Sequence, residues 1–190
     1  MAPTSLTKLQ RQQLLELAKN SIRHGLRTGR PPAVDPTDFS SELAELRATF
    51  VTLHKNRQLR GCIGLLKAAR PLAVDVSENA FAAAFKDPRF PPVETSEFNE
   101  LDIHISILTP AEPLPFASEQ DLIEHLQPGV DGLILEEGNR RGTFLPSVWQ
   151  SLPKPRDFLR QLKQKAGLPE DYWSDRIRVF RYRTEEFGET

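Results

Sequence analysis

ATFVTLHKNRQLRGCIGL, residues 48–65, decides how this chain is read. Its first half, 48–54, is rich in β-branched and aromatic residues and predicts a strand. Lys55-Asn56-Arg57-Gln58 turns the chain, with Asn56 tolerating a positive φ, and residues 59–65 return as the second strand of a hairpin. With Asn56 and Arg57 as the two central turn residues, Val51 pairs with Cys62 and Leu53 with Arg60. Alternation then sets Arg60 and Cys62 on one face, and Phe50 and Ile63 on the other. Cys62 is the only cysteine, and it lies between Gly61 and Gly64. Glycine in a strand costs conformational entropy and removes a packing side chain, so two around one thiol point to the close approach of a backbone or a ligand. The competing reading is a small buried hydrophobe.

Outward from the hairpin, residues 5–28 carry Leu6, Leu9, Leu14, Leu17, Ile22 and Leu26 at helical spacing, and Gly29-Arg30-Pro31-Pro32 stops that helix. Pro71 suits the first turn of a helix that runs through the Ala-rich residues 77–86. Asp87-Pro88-Arg89-Phe90-Pro91-Pro92 breaks it as a stiff loop that presents Arg89 and Phe90 in few positions. Residues 102–108 alternate, with Ile103, Ile105 and Ile107 facing a core and Asp102, His104 and Ser106 forming a polar row. A helix capped by Ser118, a hairpin turning at Glu137-Gly138-Asn139, a helix over 155–166 and a last strand over 176–183 follow. The order helix, hairpin, helix, strand therefore occurs twice, over about 5–110 and 115–185. This suggests an internal duplication that sets Arg60-Gly61-Cys62 against Arg141-Gly142-Thr143, with both Arg-Gly segments facing one shared cleft. Six strands in two like sets predict an α+β domain with one curled sheet and helices outside.

Composition limits the partners. The formal charge is −1 and the pI about 6.4, so no global positive field favours nucleic acid. No apolar stretch reaches membrane length and no secretory leader is legible, which places the chain in the cytoplasm. One Cys and four scattered His offer no metal-ligand spacing, so no metal is expected. No P-loop or GxGxxG is present, which disfavours ATP or dinucleotide binding by those modes, and no cofactor is assigned.

The chemistry that remains is a thiol and a set of arginines. In an enzyme reading, Cys62 is the nucleophile or covalent attachment point, Arg60 lowers its pKa, Arg89 clamps an anionic substrate, and His104 is the base, with His54 the other strand histidine. Arg60, Arg89, Arg140 and Arg141 can bind phosphate or carboxylate through paired donors, and Gly61, Gly64 and Gly142, with Thr143 alongside, let a ligand approach. The alternative is a non-catalytic module that docks partner proteins through the Phe90-Pro91-Pro92 and Phe144-Leu145-Pro146 segments.

Leu59-Arg60-Gly61-Cys62-Ile63-Gly64 resembles the signature of the AMMECR-one domain family. The resemblance extends to Asp87-Pro88-Arg89-Phe90-Pro91-Pro92, to Ile105-Ser106-Ile107-Leu108-Thr109-Pro110 with Glu112-Pro113-Leu114, and to Gly142-Thr143-Phe144-Leu145-Pro146. It implies two β3α2-type repeats that form one curled, barrel-like sheet. It also implies work alongside Memo-like and radical SAM proteins, with no established activity. Arg57 stands where hairpins of the family often have glycine.

Overall fold

The structure, a computed structural model, describes residues 5–189. Its chain forms two compact units, one built from residues up to Thr109 together with those from Glu185 on, the other from Pro110–Thr184.

The first unit opens with α1 (Lys8–Thr28), started by a reciprocal box in which Thr7 and Gln10 satisfy each other's backbone N–H and ended by Gly29 at φ 72°. After α2 (Ser41–Ala44) come β1 (Ala48–Lys55), β2 (Gln58–Gly64), α3 (Leu72–Phe85) and β3 (Leu101–Leu108). The second unit contains β4 (Glu112–Pro113), α4 (Glu119–His125), β5 (Gly132–Glu137), β6 (Arg140–Phe144), α5 (Pro155–Lys165) and β7 (Arg178–Tyr182). Beyond β7 the chain returns to the first unit as β8 (Thr184–Gly188).

The pairing gives a mixed α and β fold with two four-stranded antiparallel sheets, ordered β2-β1-β3-β8 and β4-β7-β5-β6. The strands are thus divided between two sheets, where the sequence suggests one curled, barrel-like sheet. Two short strands went unread: β4 has only two residues, and β8 begins just beyond the expected strand 176–183, which forms as β7. In each sheet the outermost strand beside β3 or β7 comes from chain that has just left the other sheet.

The decisive hairpin forms, with Asn56 and Arg57 both left-handed at φ 52° and 64°, the pattern of a type I′ turn even with arginine in the second place. Its register is corrected by one residue. Leu53 pairs with Gly61 and His54 with Leu59, so Arg60 is an extra, bulged residue, and Cys62 lies opposite Thr52 rather than Val51. A one-residue slip exchanges faces. Ile63 packs on the core as expected, while Phe50 moves to the face of Cys62, where its ring lies over Gly64.

Each unit has its own core. In the first, Val51, Leu53, Ile103, Ile105 and Ile107 meet Leu14 and Ile22 of α1 and Val76 and Ala80 of α3. In the second, Leu133, Leu135 and Val179 meet Phe158, Leu159 and Leu162 of α5, and Trp149 stacks on Phe158 at 3.8 Å. Side chains of this size contribute roughly 2 kcal/mol each on full burial.

Candidate functional site

Cys62 lies on β2, an outer strand whose backbone would otherwise leave its groups unpaired. The loop after α3 satisfies them with side chains. Asp87 Oδ2 accepts the Cys62 N–H at 3.0 Å, and Arg89 Nη2 donates to the Cys62 carbonyl at 3.3 Å. The two side chains are locked together: Asp87 also accepts from the Arg89 N–H at 3.1 Å, Nε at 3.0 Å and Nη2 at 2.7 Å. Asp87 is only 4% exposed, and the Arg89 hydrogen bonds hold its carboxyl far below the usual carboxylate range despite that burial. This explains why the two motif segments meet in space. The Asp-Pro-Arg loop imitates a neighbouring strand at one residue, and that residue is the cysteine.

The Cys62 side chain is half-buried and its Sγ lies 3.1 Å from Thr52 Oγ1. Thr52 pairs on its other side with His104, so Cys62, Thr52 and His104 form a row across three strands on the face opposite the core. His104 turns away from the thiol, however. Its Nε2 is 3.8 Å from Glu186 Oε2 on β8, and a Cβ added to Gly188 would lie 3.3 Å from its Nδ1. Ser106 Oγ donates to the same Glu186 at 3.4 Å. His54 lies further along this face, where β1 pairs it with Asp102.

Arg60 is engaged elsewhere. Its Nε and Nη2 donate to Glu97 Oε1 and Oε2 at 2.9 and 3.1 Å, and Lys55 reaches the same carboxylate at 3.2 Å. The Arg60 hydrogen bonds hold the Glu97 carboxyl down at about 2. Phe90 lies beside both cations, its ring centroid 6.0 Å from the Arg60 guanidinium and 5.5 Å from that of Arg89. The cation in direct contact with Cys62, through its carbonyl, is Arg89.

The glycines have a packing cause. A Cβ on Gly61 would fall 2.1 Å from the Ala83 carbonyl oxygen of α3, and one on Gly64 would fall 2.3 Å from that of Thr49. In the second unit a Cβ on Gly142 would lie 2.8 Å from the Ala166 nitrogen at the end of α5. Arg141 pairs with Glu136 at 3.1 Å, Arg140 donates to the Gly167 carbonyl, and Thr143 donates to the Leu133 carbonyl at 2.8 Å with Tyr182 OH 3.0 Å away.

The structure thus brings Arg89 to Cys62, places His104 on the same face two strands away, and commits Arg60 to Glu97. Sequence reasoning missed Asp87, Thr52, Glu97 and Glu186. Asp87 had a legible signal, since an acidic residue two places before an arginine across a proline is poised to hold it. Thr52 was hidden by the bulge, and Glu97 and Glu186 lie in segments that carried no motif.

Among the described residues no group of three or more His, Cys, Asp or Glu is placed to hold a metal ion, and no helix is long and apolar enough to cross a membrane. The AMMECR1 family profile matches residues 15–187. A protein of Methanothermobacter thermautotrophicus is 37% identical over 190 residues, covering 97% of this chain and 96% of its own length. One of Thermotoga maritima is 37% identical over 177 residues, covering 91% and 93%. The crystal structure of an uncharacterized protein from Pyrococcus horikoshii superimposes with a TM-score of 0.89 at 34% identity, covering 97% of this chain and 93% of that one. With its motif segments, its fold and these relatives in agreement, the chain belongs to the AMMECR1 family.

Proposed function

We propose that the protein binds a small, anionic ligand at Cys62 and that the thiol is its nucleophile or covalent attachment point. One observation carries this reading. Asp87 and Arg89 grip both backbone groups of Cys62, which fixes the half-buried sulfur beside a hydroxyl and on the strand that the guanidinium of the half-exposed Arg89 side chain touches. A cation near a thiol favours the thiolate, and the outer edge of an exposed guanidinium offers donors to an anion. His104 shares the face and serves as the base once its ring turns toward Thr52. The matching strand order of the two sheets supports reading the chain as two repeats, with Thr143 in the place of Cys62, so that only the first copy carries a thiol. The sequence reading adds a cytoplasmic setting, and the resemblance to the family adds Memo-like and radical SAM proteins as partners, to which the bound ligand would be passed.

The pH dependence of Cys62 alkylation in the native protein, followed by intact mass, tests the reading. Labelling with an apparent pKa well below about 8.5, moved upward by Arg89→Gln, is the expected result. Labelling only after denaturant is added refutes the thiol chemistry and favours a module that docks its partners without reacting.

A further inference from the structure

Four arginines of the first unit are neutralised in the same way. Arg11, Arg60, Arg70 and Arg89 each present Nε and Nη2 to a carboxylate, respectively Glu185, Glu97, Asp75 and Asp87. Arg47 does not. It is only 8% exposed, and its Nε is enclosed with no hydrogen-bond partner among the described residues. Its Nη2 makes one long bond, 3.4 Å, to the Leu108 carbonyl at the end of β3.

Burial pushes the Arg47 guanidinium down, and Glu185 and Glu45 offset this only at longer range. Glu185 is already occupied, accepting from Ser5 Oγ and the Leu6 N–H, each at 3.0 Å, as well as from Arg11. A guanidinium cannot shed its charge as a lysine can, so a buried one without a counter-ion is costly wherever nothing else neutralises it. Among the described residues Nη1 is neither hydrogen-bonded nor one of the enclosed atoms, so a solute reaches the group at Nη1, beside the long bond of Nη2.

We propose that Arg47 anchors an oxyanion site, separate from Cys62, in which a phosphate or carboxylate group pairs with the Nη1–Nη2 end of the guanidinium at the start of β1. Two terminal nitrogens side by side match two oxygens of such a group. Glu45 and Glu185 weaken the local positive field, so half-saturation falls on the order of millimolar.

The test follows the thermal unfolding midpoint of the full chain against inorganic phosphate, with ionic strength held constant by sodium chloride, in wild type and Arg47→Met. A ligand bound only by the folded state raises the midpoint by roughly 3 °C at about tenfold its half-saturating concentration. The wild type shows this saturable rise, and Arg47→Met loses it while unfolding no earlier than wild type in phosphate-free buffer. Arg47→Lys, which keeps a charge, retains part of the response and serves if the methionine variant does not fold. Acetate in place of phosphate sorts the source: an equal rise assigns the site to carboxylates, and a rise with phosphate alone to phosphoryl groups. An equal rise in wild type and Arg47→Met, or no saturable rise in wild type with either anion, overturns the proposal.

Discussion

Replacing Glu97 by Gln removes one charge from the cluster that holds the bulged Arg60 and leaves the shape of the side chain almost unchanged. The folded protein holds this carboxyl at about 2 where the isolated side chain titrates at 4.5, chiefly through the Arg60 hydrogen bonds. A lowered carboxyl pKa stabilises the fold at any pH above the unfolded value and loses that contribution as pH falls toward the folded value. The difference corresponds to roughly 3 kcal/mol, and both partners are largely shielded from solvent, with side-chain exposures of 11% and 14%, so screening removes little of it. Urea unfolding of wild type and Glu97→Gln from pH 7 to pH 2 measures it. At pH 7 the variant is less stable by about 3 kcal/mol, and the gap closes as pH drops from about 4.5 to 2 because the wild-type carboxylate is then protonated. A gap that persists unchanged at pH 2 refutes the electrostatic account and assigns the loss to packing. Cys62 alkylation at pH 7 stays within about twofold of wild type in native Glu97→Gln, because Arg60 does not face the thiol. A larger change means that Arg60 acts on Cys62 after all.

Three further outcomes follow from the same geometry. Gly61→Ala drives a methyl into the Ala83 carbonyl, which lies 2.1 Å from the ideal Cβ position, and destabilises the protein by about 1–3 kcal/mol in urea unfolding; an unchanged midpoint denies the tight approach of α3 to β2. Asp87→Ala leaves the Cys62 N–H without its acceptor and costs about 2 kcal/mol, and amide exchange at Cys62 accelerates more than at its neighbours on β2, whereas a uniform change points to global loosening. Glu185→Ala removes the acceptor shared by Ser5, Leu6 and Arg11, so exchange protection falls at the start of α1 and along β8 together, and a response confined to either end contradicts the shared anchor.

The elements were legible where a local rule and the core agreed. Ile103, Ile105 and Ile107 face the core as their alternation requires, and Gly29 closes α1 with a positive φ. The hairpin was legible too, but its register was not. A bulge at Arg60 inserts a residue without any mark in the sequence, and the slip moved Thr52 to the thiol and Phe50 to the other face. The same bulge explains why Arg60 seemed the natural partner of Cys62: simple alternation put them together. Arg89 was recognised as a site residue, but its fixed orientation depends on Asp87, whose role is visible only when the loop is seen against the edge of β2. β4 and β8 were missed because a two-residue strand has no periodicity and β8 begins two residues after β7 ends. What those short strands complete lies far away in sequence, where no local pattern reaches.

That long reach bears on how the chain is made. The first sheet lacks its fourth strand until residues 184–188 exist, and Glu185 must come back across 179 positions to receive the Leu6 N–H. During synthesis the first unit therefore waits, with the free edge of β3 exposed, while the whole second unit leaves the ribosome. That five-residue strand joins the first sheet only after the second unit has been translated, and it completes a unit whose other strands were made before it.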